Sequence, residues 1–213
     1  MPGEPVHEEV SMVTATEQGR DTRERLMDAA VELIAERGWG AVTTRVVADR
    51  ARLRPGLVHY HFASVNDLLI DASLRLIRQM GSDLLDHVLQ QRGPARVEHL
   101  VRTITAYTAA DMDTRVVSEM LLAATRHTRL RTELGSLLRG FRSTVTSWLR
   151  AADTTDADTT DAGATAAVLL AAFDGLVLHR LIDPGLGELG IAGPLRRLAG
   201  LSATARPEEP GDE

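Results

Sequence analysis

The feature that most constrains this chain is the helical spacing of its apolar residues, which runs through most of the sequence with no alternating strand pattern. Turn signals separate the helical segments, among them Gly93-Pro94 and Asp183-Pro184-Gly185. Aromatic residues make up only 3% of the chain, and alanine and leucine are common, which also favours helix. We therefore predict an all-α protein of about nine helices, with an N-terminal three-helix domain and a larger C-terminal helical domain.

The composition excludes several kinds of site. The chain has no cysteine, which rules out disulfides, thiolate metal sites and cysteine nucleophiles. The histidines at 87, 99, 127 and 179 stand singly, without the close spacing of metal ligands, so we expect no metal and no cofactor. The sequence shows no motif for a nucleophile and base and no glycine-rich phosphate loop, and an enzyme is therefore not predicted.

Two segments bear on where the protein resides. Residues Met1–Gly19 are acidic and polar, unlike a signal peptide. The longest uncharged, mostly apolar run, Ala162–Phe173, is shorter than the roughly 18 residues that a bilayer span requires. We expect a cytoplasmic protein without membrane contact.

Composition shifts divide the chain into a small domain, a larger domain and two tails. We predict that residues 1–18 and 203–213, which are polar and acidic, are disordered tails. The small domain covers residues 19–65 and the larger one residues 66–202. Within the larger domain, Asp153–Ala162 carries a repeated five-residue acidic unit and is predicted to be a mobile linker, because it lacks the glycine and terminal glutamate of a calcium loop.

The small domain contains the most informative pattern. Two short helical segments, about Thr44–Ala51 and Pro55–His61, are joined by only three residues and follow an amphipathic helix from near Arg20 to Arg37. This order is typical of a helix-turn-helix unit. Packing of its apolar residues against the first helix leaves polar side chains facing outward, where they can reach phosphates and base edges. These side chains are Thr44, Arg45, Arg54, His59 and Tyr60.

The distribution of charge is compatible with a DNA partner. The net charge is −6, but all 24 basic residues are arginine, and five of them fall between Arg37 and Arg54 with a single acidic residue, Asp49. A basic patch on an acidic protein can bind DNA, since only the docking face meets phosphates.

From about Arg20 to Leu69 the sequence resembles the DNA-binding domain of the TetR (tetracycline repressor) family of bacterial regulators. The resemblance rests on the order, spacing and N-terminal position of a set of residues. These are Ala30, Gly38-Trp39, Thr43-Thr44-Arg45, Val47-Ala48, Ala51, the run Gly56-Leu57-Val58-His59-Tyr60-His61-Phe62, Ser64 and Leu68-Leu69.

The resemblance implies roles for individual residues. Thr44, His59, Tyr60 and His61 are expected at DNA backbone positions, and Arg45, Gly56 and Leu57 near bases or adjacent phosphates, whereas Phe62 is expected in the core. The candidate DNA-binding residues are Thr43, Thr44, Arg45, Arg54, Gly56, Leu57, His59, Tyr60 and His61.

Two positions depart from the family pattern. Arg52 stands where a glycine is usual in the turn, which predicts either strain or an unusual backbone conformation. Val65 stands where a lysine is usual at the start of the fourth helix, so one phosphate contact is expected to be lost.

The family resemblance implies that the C-terminal helices bind a ligand and form a dimer. The eighth predicted helix, Ala162–Ile182, is apolar on nearly all sides and must be buried on both faces. Its two-fold copy is the simplest partner for the second face, together with the ninth helix. The candidate interface residues are Val168, Ala172, Leu176, His179 and Leu198.

Ligand contacts are expected from large or polar residues on the inner faces of helices four to eight, forming an apolar cavity with few polar groups. The candidates are Leu84, His87, Tyr107, Met120, His127, Phe141, Trp148, Phe173 and His179.

These observations predict a ligand-responsive transcriptional regulator that binds double-stranded DNA as a homodimer. We expect a repressor that leaves a palindromic operator when a small, mostly apolar effector enters the core and shifts the fourth helix. The alternatives are an activator, a helical adaptor whose helix-turn-helix no longer binds DNA, and a helical enzyme.

Overall fold

The computed structural model describes residues 6–92, 94–106, 112–151 and 161–201, and over these ranges its regular elements are all helical. The prediction of an all-α fold with about nine helices is confirmed. Two compact units divide the chain: Met1–Ile77 with Arg115–Leu130, and Arg78–Thr114 with Arg131–Glu213.

The first unit is built around three N-terminal helices and parts of three later ones. The helices that contribute to it are α1 (Val6–Arg37), α2 (Thr44–Ala51), α3 (Pro55–His61), α4 (Val65–Leu89), α6 (Met112–Ala124) and the start of α7 (Thr128–Ala151). Leu26, Leu33 and Ile34 recur at helical spacing on one face of α1 and are fully buried. Val47 of α2 and Val58 of α3 are also fully buried, so both short helices turn an apolar side inward.

A glycine ends α1 and starts the chain toward α2. Gly38 has φ 76, a left-handed conformation that favours glycine, and its amide donates to the Ile34 carbonyl at 2.9 Å. A single 3-10 turn, Trp39–Ala41, follows it. The stop signal that the sequence predicted at Gly38 is therefore confirmed.

The start of α1 differs from the sequence prediction. The helix begins at Val6, whereas we expected a disordered tail over residues 1–18 and a helix from near Arg20. The regular apolar spacing of α1 is lost in the sequence toward the N-terminus. However, no proline interrupts the helix after Pro5. Extending an existing helix adds one hydrogen bond per residue, so a helix can continue beyond its buried stripe.

The second unit contains the rest of α4 and most of the later helices. These are α5 (Pro94–Ala106), α7 (Thr128–Ala151), α8 (Ala162–Ile182) and α9 (Ala192–Leu198). Their core is one apolar cluster that includes Val97, Leu100, Trp148 and Leu169. Arg180 of α8 is buried, and its guanidinium donates to the Thr105 carbonyl in the last turn of α5 at 3.2 Å.

Both ends of α8 follow from its flanking aspartates. Asp161 accepts a hydrogen bond from the Ala164 amide at 3.0 Å and caps the first turn. Asp183 follows the last residue, and a short 3-10 segment, Pro184–Glu188, confirms the predicted stop. Within the described residues, α8 is also the one helix long and apolar enough to cross a membrane, which is weak evidence because core helices of soluble proteins share this property.

The division between the units lies further along the chain than the predicted boundary after residue 65. The first unit extends to Ile77 and also takes Arg115–Leu130 from the second half of the sequence. Three predictions concern residues outside the described ranges, namely those for Tyr107, most of the acidic linker and the C-terminal tail over 203–213.

Candidate nucleic-acid interface

Thr43 and the first turn of α2 form one edge of the candidate interface. The Thr43 hydroxyl accepts a hydrogen bond from the Val46 amide at 3.4 Å, so Thr43 is the N-cap, as its position predicted. Thr44 is half-buried and Arg45 is exposed, while Val47, Ala48 and Ala51 turn inward. The first turn of α2 therefore offers hydroxyl and guanidinium groups outward.

The turn between α2 and α3 is closed by Arg52 in a left-handed conformation. Its φ of 56 and ψ of 44 lie in the region that glycine adopts most readily, which confirms the prediction of an unusual backbone at this position. The Leu53 amide reaches back to the Ala48 carbonyl at 2.9 Å, and the Arg52 amide reaches the Asp49 carbonyl at 3.2 Å. The two short helices are thereby joined tightly despite the missing glycine.

The outer face of α3 carries the remaining exposed candidates. Pro55 occupies the first turn, and Val58 and Phe62 are buried, which fixes the orientation of this seven-residue helix. Tyr60 is 81% exposed, and its ring meets the His61 ring edge-on with 5.0 Å between centroids. The other candidates on or beside α3 divide into exposed residues (Arg54, Gly56, His59) and half-buried ones (Leu57, His61).

Arg50 has a different role from the other arginines of this region. Its guanidinium binds Glu36 of α1 through two contacts, at 2.6 and 3.0 Å, and Glu32 at 2.9 Å. The Arg50 hydrogen bond is the main reason why the pKa of Glu36 lies below its usual value. By contrast, no ion-pair partner for Arg45, Arg52 or Arg54 occurs within the described part of the chain. The cationic surface is therefore smaller than the arginine count suggested.

Arg25 contacts the last residue of α2, and Ser64 caps the helix that follows α3. Arg25 of α1 donates to the carbonyl of Ala51, the last residue of α2, at 2.8 Å. The Ser64 hydroxyl accepts from the Asp67 amide at 3.1 Å and lies 2.8 Å from the Asp67 carboxylate, so Ser64 caps α4 as predicted. Val65, at the position of the usual lysine, is half-buried and offers no charge.

A chain of charged groups ties α1, α4 and α7 together behind α3. Arg23 lies over the Phe62 ring, 4.4 Å from its centroid, and its guanidinium contacts Asp71 at 2.5 Å. Arg129, near the start of α7, binds Asp71 and also Asp67 at 3.0 Å. We did not predict this network, because its members are far apart in sequence and none belongs to a recognisable motif.

The candidate ligand residues are divided between the two units. Phe141, Phe173 and Leu84 pack against the apolar cluster that contains the buried Trp148. Met120 and His127 belong to the first unit, and the His127 ring lies 5.7 Å from the Trp39 ring. His87 is exposed with its Nδ1 2.6 Å from the Asp83 carbonyl, and His179 is exposed on α8. No group of three metal-ligating side chains occurs among the described residues.

The candidate dimer residues differ in what they contact within their own unit. Ala172 and Leu176 pack partly against the apolar cluster, so only part of each side chain remains open. Val168, His179 and Leu198 are exposed, at 49% for Val168 and 43% for Leu198. One face of α8 forms what we call the outer α8 stripe, which consists of exposed residues (Ala164, Val168, Ala171 and Ile182) and half-buried ones (Gly175 and Leu178).

The chain therefore contains a helix-turn-helix in its first unit and a set of helices in its second. Known proteins contain the same two parts. Residues 26–72 match the family described as bacterial regulatory proteins, tetR family, and residues 92–204 match the tetracyclin repressor-like C-terminal domain. The second match alone spans more than half of the chain. The chain belongs to the TetR family.

Individual relatives agree with this assignment. The HTH-type transcriptional regulator BetI of Brucella suis biovar 1 (strain 1330) is 33% identical over 72 residues, which are 34% of this chain and 36% of that protein. The chain thus spans about a third of the length of the curated relatives it matches in this region. BetI of Rhizobium meliloti (strain 1021) is 29% identical over 162 residues, covering 74% of this chain and 77% of the relative.

Solved structures have the same fold. A TetR family member from Streptomyces coelicolor A3 superposes with a TM-score of 0.65 at 27% identity, covering 83% of this chain and 97% of the other. A transcriptional regulator from Saccharomonospora viridis in complex with choline gives a TM-score of 0.70 at 21% identity, covering 84% and 94%.

Proposed function

We propose that this chain is a cytoplasmic, ligand-responsive repressor that binds a palindromic DNA operator as a homodimer. The observation that carries the proposal is the outer face of α2 and α3, where Arg45 and the highly exposed Tyr60 accompany the hydroxyl of Thr44. These are groups that bind phosphate oxygens and base edges, and nothing in the first unit's core requires them.

The proposed contacts follow from the chemistry of each side chain. Arg45 can bind a guanine edge through two hydrogen bonds or a phosphate through its fork of donors. Tyr60 and Thr44 can donate their hydroxyl protons to phosphate oxygens, and His59 can donate a ring N–H. The exposed backbone at Gly56 allows close approach of α3 to the duplex, because no side chain intervenes.

Dimerisation is proposed through the outer α8 stripe. Ala164, Ala171 and Gly175 are small, so a second copy of α8 can approach closely, and the exposed Val168 and Ile182 supply apolar area. Two-fold pairing would present two copies of α3, each to one half of a palindrome.

Dimerisation can be tested by substituting Val168→Arg and measuring mass in solution by light scattering. The expected result is a monomer with weakened DNA binding. Leu138→Arg is the matched control, because Leu138 is also an exposed apolar residue, on α7 rather than α8. A Val168→Arg protein that remains dimeric contradicts the proposed interface.

The effector is proposed to be a small, mostly apolar molecule bound within the second unit. The support is the nearly uniform apolar composition of its core, with Phe141, Trp148 and Phe173 in or against one cluster. One structural relative was solved with choline and another with stearoyl-CoA, so members of this fold accommodate chemically different ligands. Binding would release DNA by shifting α4, which passes from the first unit into the second at Ile77.

DNA binding can be tested by selecting sequences from a random duplex library and measuring the affinity of the recovered site. The wild-type chain should bind a palindromic site, with an affinity that falls as salt rises. Tyr60→Ala and Arg45→Ala should weaken binding, whereas Arg139→Ala, which removes an exposed charge from α7, should not. Failure to recover any preferred sequence would contradict the proposal and favour the adaptor alternative.

A further inference from the structure

Glu119 lies in α6, far along the chain from the helix-turn-helix, and contacts the backbone just before it. The Trp39 amide donates to the Glu119 carboxylate with 2.8 Å between nitrogen and Oε2, although the residues are 80 positions apart. The Trp39 side chain is buried, and its ring also meets the ring of His127, 5.7 Å away. Glu119 of α6 and His127 beyond it therefore both contact Trp39, one through its backbone amide and the other through its ring.

The backbone beside Trp39 is shaped to receive this carboxylate. Gly38 has a positive φ, and a Cβ added there would lie 3.3 Å from one Glu119 carboxylate oxygen and 3.4 Å from the other. A side chain at this position would thus crowd the carboxylate as well as strain the backbone. The contact between Glu119 and the Gly38–Trp39 corner depends on a glycine at that point.

The Gly38–Trp39 corner determines where α2 starts. The 3-10 turn leads directly from Trp39 to Ala41, and the Val42 amide donates back to the Trp39 carbonyl at 3.4 Å. Val42 is buried, and the next residue, Thr43, caps α2. A displacement of Trp39 would therefore move the first turn of α2, which carries Thr44 and Arg45.

We propose that Glu119 is a positioning residue for DNA binding: it holds the Gly38–Trp39 corner so that the first turn of α2 meets the duplex in register. The hydrogen bond to Glu119 comes from the Trp39 backbone, and Trp39 is not one of the candidate DNA-binding residues. This inference rests on the proposed function, and it adds to the DNA-binding machinery a residue outside the helix-turn-helix sequence. The structure favours a carboxylate here because a charged acceptor strengthens the hydrogen bond to the amide.

The test compares Glu119→Ala, which removes the acceptor, with Glu119→Gln, whose side-chain oxygen can still accept from the Trp39 amide. The control is Glu133→Ala, which removes a glutamate of α7 that pairs with Arg78 at 3.3 Å in the second unit. Each protein is titrated with the selected duplex over a range of salt, at a temperature where circular dichroism shows it to be folded. Amide hydrogen exchange at Trp39 is measured in parallel.

Glu119→Ala is expected to raise the Kd for the duplex about tenfold and to speed exchange at Trp39. The salt dependence should stay the same, because no phosphate contact is lost. Glu119→Gln should restore most of the affinity, and Glu133→Ala should match the wild type. If Glu119→Ala does not fold, Glu119→Asp, whose carboxylate is one methylene shorter, is expected to show the same weakening.

A folded Glu119→Ala protein that exchanges faster at Trp39 but keeps the wild-type Kd overturns the inference and leaves the proposed function intact. Such a result would mean that Glu119 only stabilises the fold. If the wild-type chain recovers no preferred sequence from the duplex library, the proposed function is wrong, and Glu119 then has no role in DNA binding either.

Discussion

Arg50 of α2 grips Glu36 of α1 with both arms of its guanidinium, at 2.6 and 3.0 Å. The same guanidinium also donates to the Glu32 carboxylate at 2.9 Å, so one arginine pairs with two carboxylates of α1. These ion pairs link α2 to α1 on a partly exposed surface. Each pair therefore contributes little to the free energy of unfolding by itself. Their main effect is electrostatic, because they withdraw one of the five local arginines from the charge available to DNA.

The first prediction concerns the salt dependence of DNA binding. Arg45→Ala should reduce the slope of log K against log salt by about one, because Arg45 is exposed and has no ion-pair partner among the described residues. Arg50→Ala should leave the slope nearly unchanged, since Arg50 is occupied by glutamates. Titrations at several salt concentrations measure both slopes. Equal reductions for the two variants would show that Arg50 leaves its glutamates to bind phosphate.

The second prediction concerns the left-handed residue of the turn. Arg52→Gly should raise the free energy of unfolding by about 1 kcal/mol, because glycine adopts this conformation without the steric cost that a Cβ incurs. Arg52→Ala is the control, since it removes the guanidinium but keeps the Cβ. Urea denaturation followed by circular dichroism measures both variants. A stability gain in the alanine variant equal to that in the glycine variant would assign the effect to charge.

The third prediction concerns the pH dependence of stability. Partial burial in α8 raises the pKa of Asp174 from 3.8 to about 6. The folded state therefore binds this proton more tightly than the unfolded state, and stability falls as pH rises from about 4 to about 6. Asp174→Asn should raise the melting temperature at pH 7, and its advantage should disappear below pH 4.

Thermal unfolding at a series of pH values checks this, with Asp86→Asn on the exposed side of α4 as the control. An Asp174→Asn advantage of equal size at pH 4 and pH 7 would contradict an origin in the ionisation of Asp174.

The fourth prediction concerns the charged network behind α3. Asp71→Ala should lower the free energy of unfolding by about 1 to 2 kcal/mol, because Arg23 and Arg129 both lose a partner in a partly buried setting. Arg129→Ala should cost less in the Asp71→Ala background than in the wild type, since its contact with Asp71 is already absent there. A double-mutant cycle by urea denaturation measures this difference. Strict additivity would mean that Arg129 and Asp71 do not interact in solution.

Local signals accounted for most of the helix-turn-helix. The cap at Thr43, the proline at the start of α3 and the serine cap before α4 each act within a few residues, so the sequence alone could predict them. The unusual backbone at Arg52 was predicted from the family resemblance, because a glycine is usual at that position, and Phe62 was expected in the core. Whether the exposed side chains bind DNA stays a prediction.

Contacts between distant parts of the chain could not be predicted from one sequence. Neither Glu119 nor Arg129 lies in a motif, and their partners Trp39 and Asp71 are 80 and 58 positions away. The extension of α1 to Val6 was missed for another reason: residues 6–19 show no regular apolar stripe in the sequence from which a helix could be predicted. In α8, apolar character on all sides hid which face packs against its own unit. Ala172 and Leu176 pack partly against the apolar cluster, and their place in a dimer interface stays a prediction.

The chain has two tryptophans, and each compact unit contains one of them in a buried position, Trp39 in the first and Trp148 in the second. Indole emission therefore offers an optical reporter for each half of the protein without any label. Replacing one tryptophan with phenylalanine would leave a signal from the other unit alone. Under the proposed function, ligand binding and DNA binding could then be followed as separate changes in tryptophan emission.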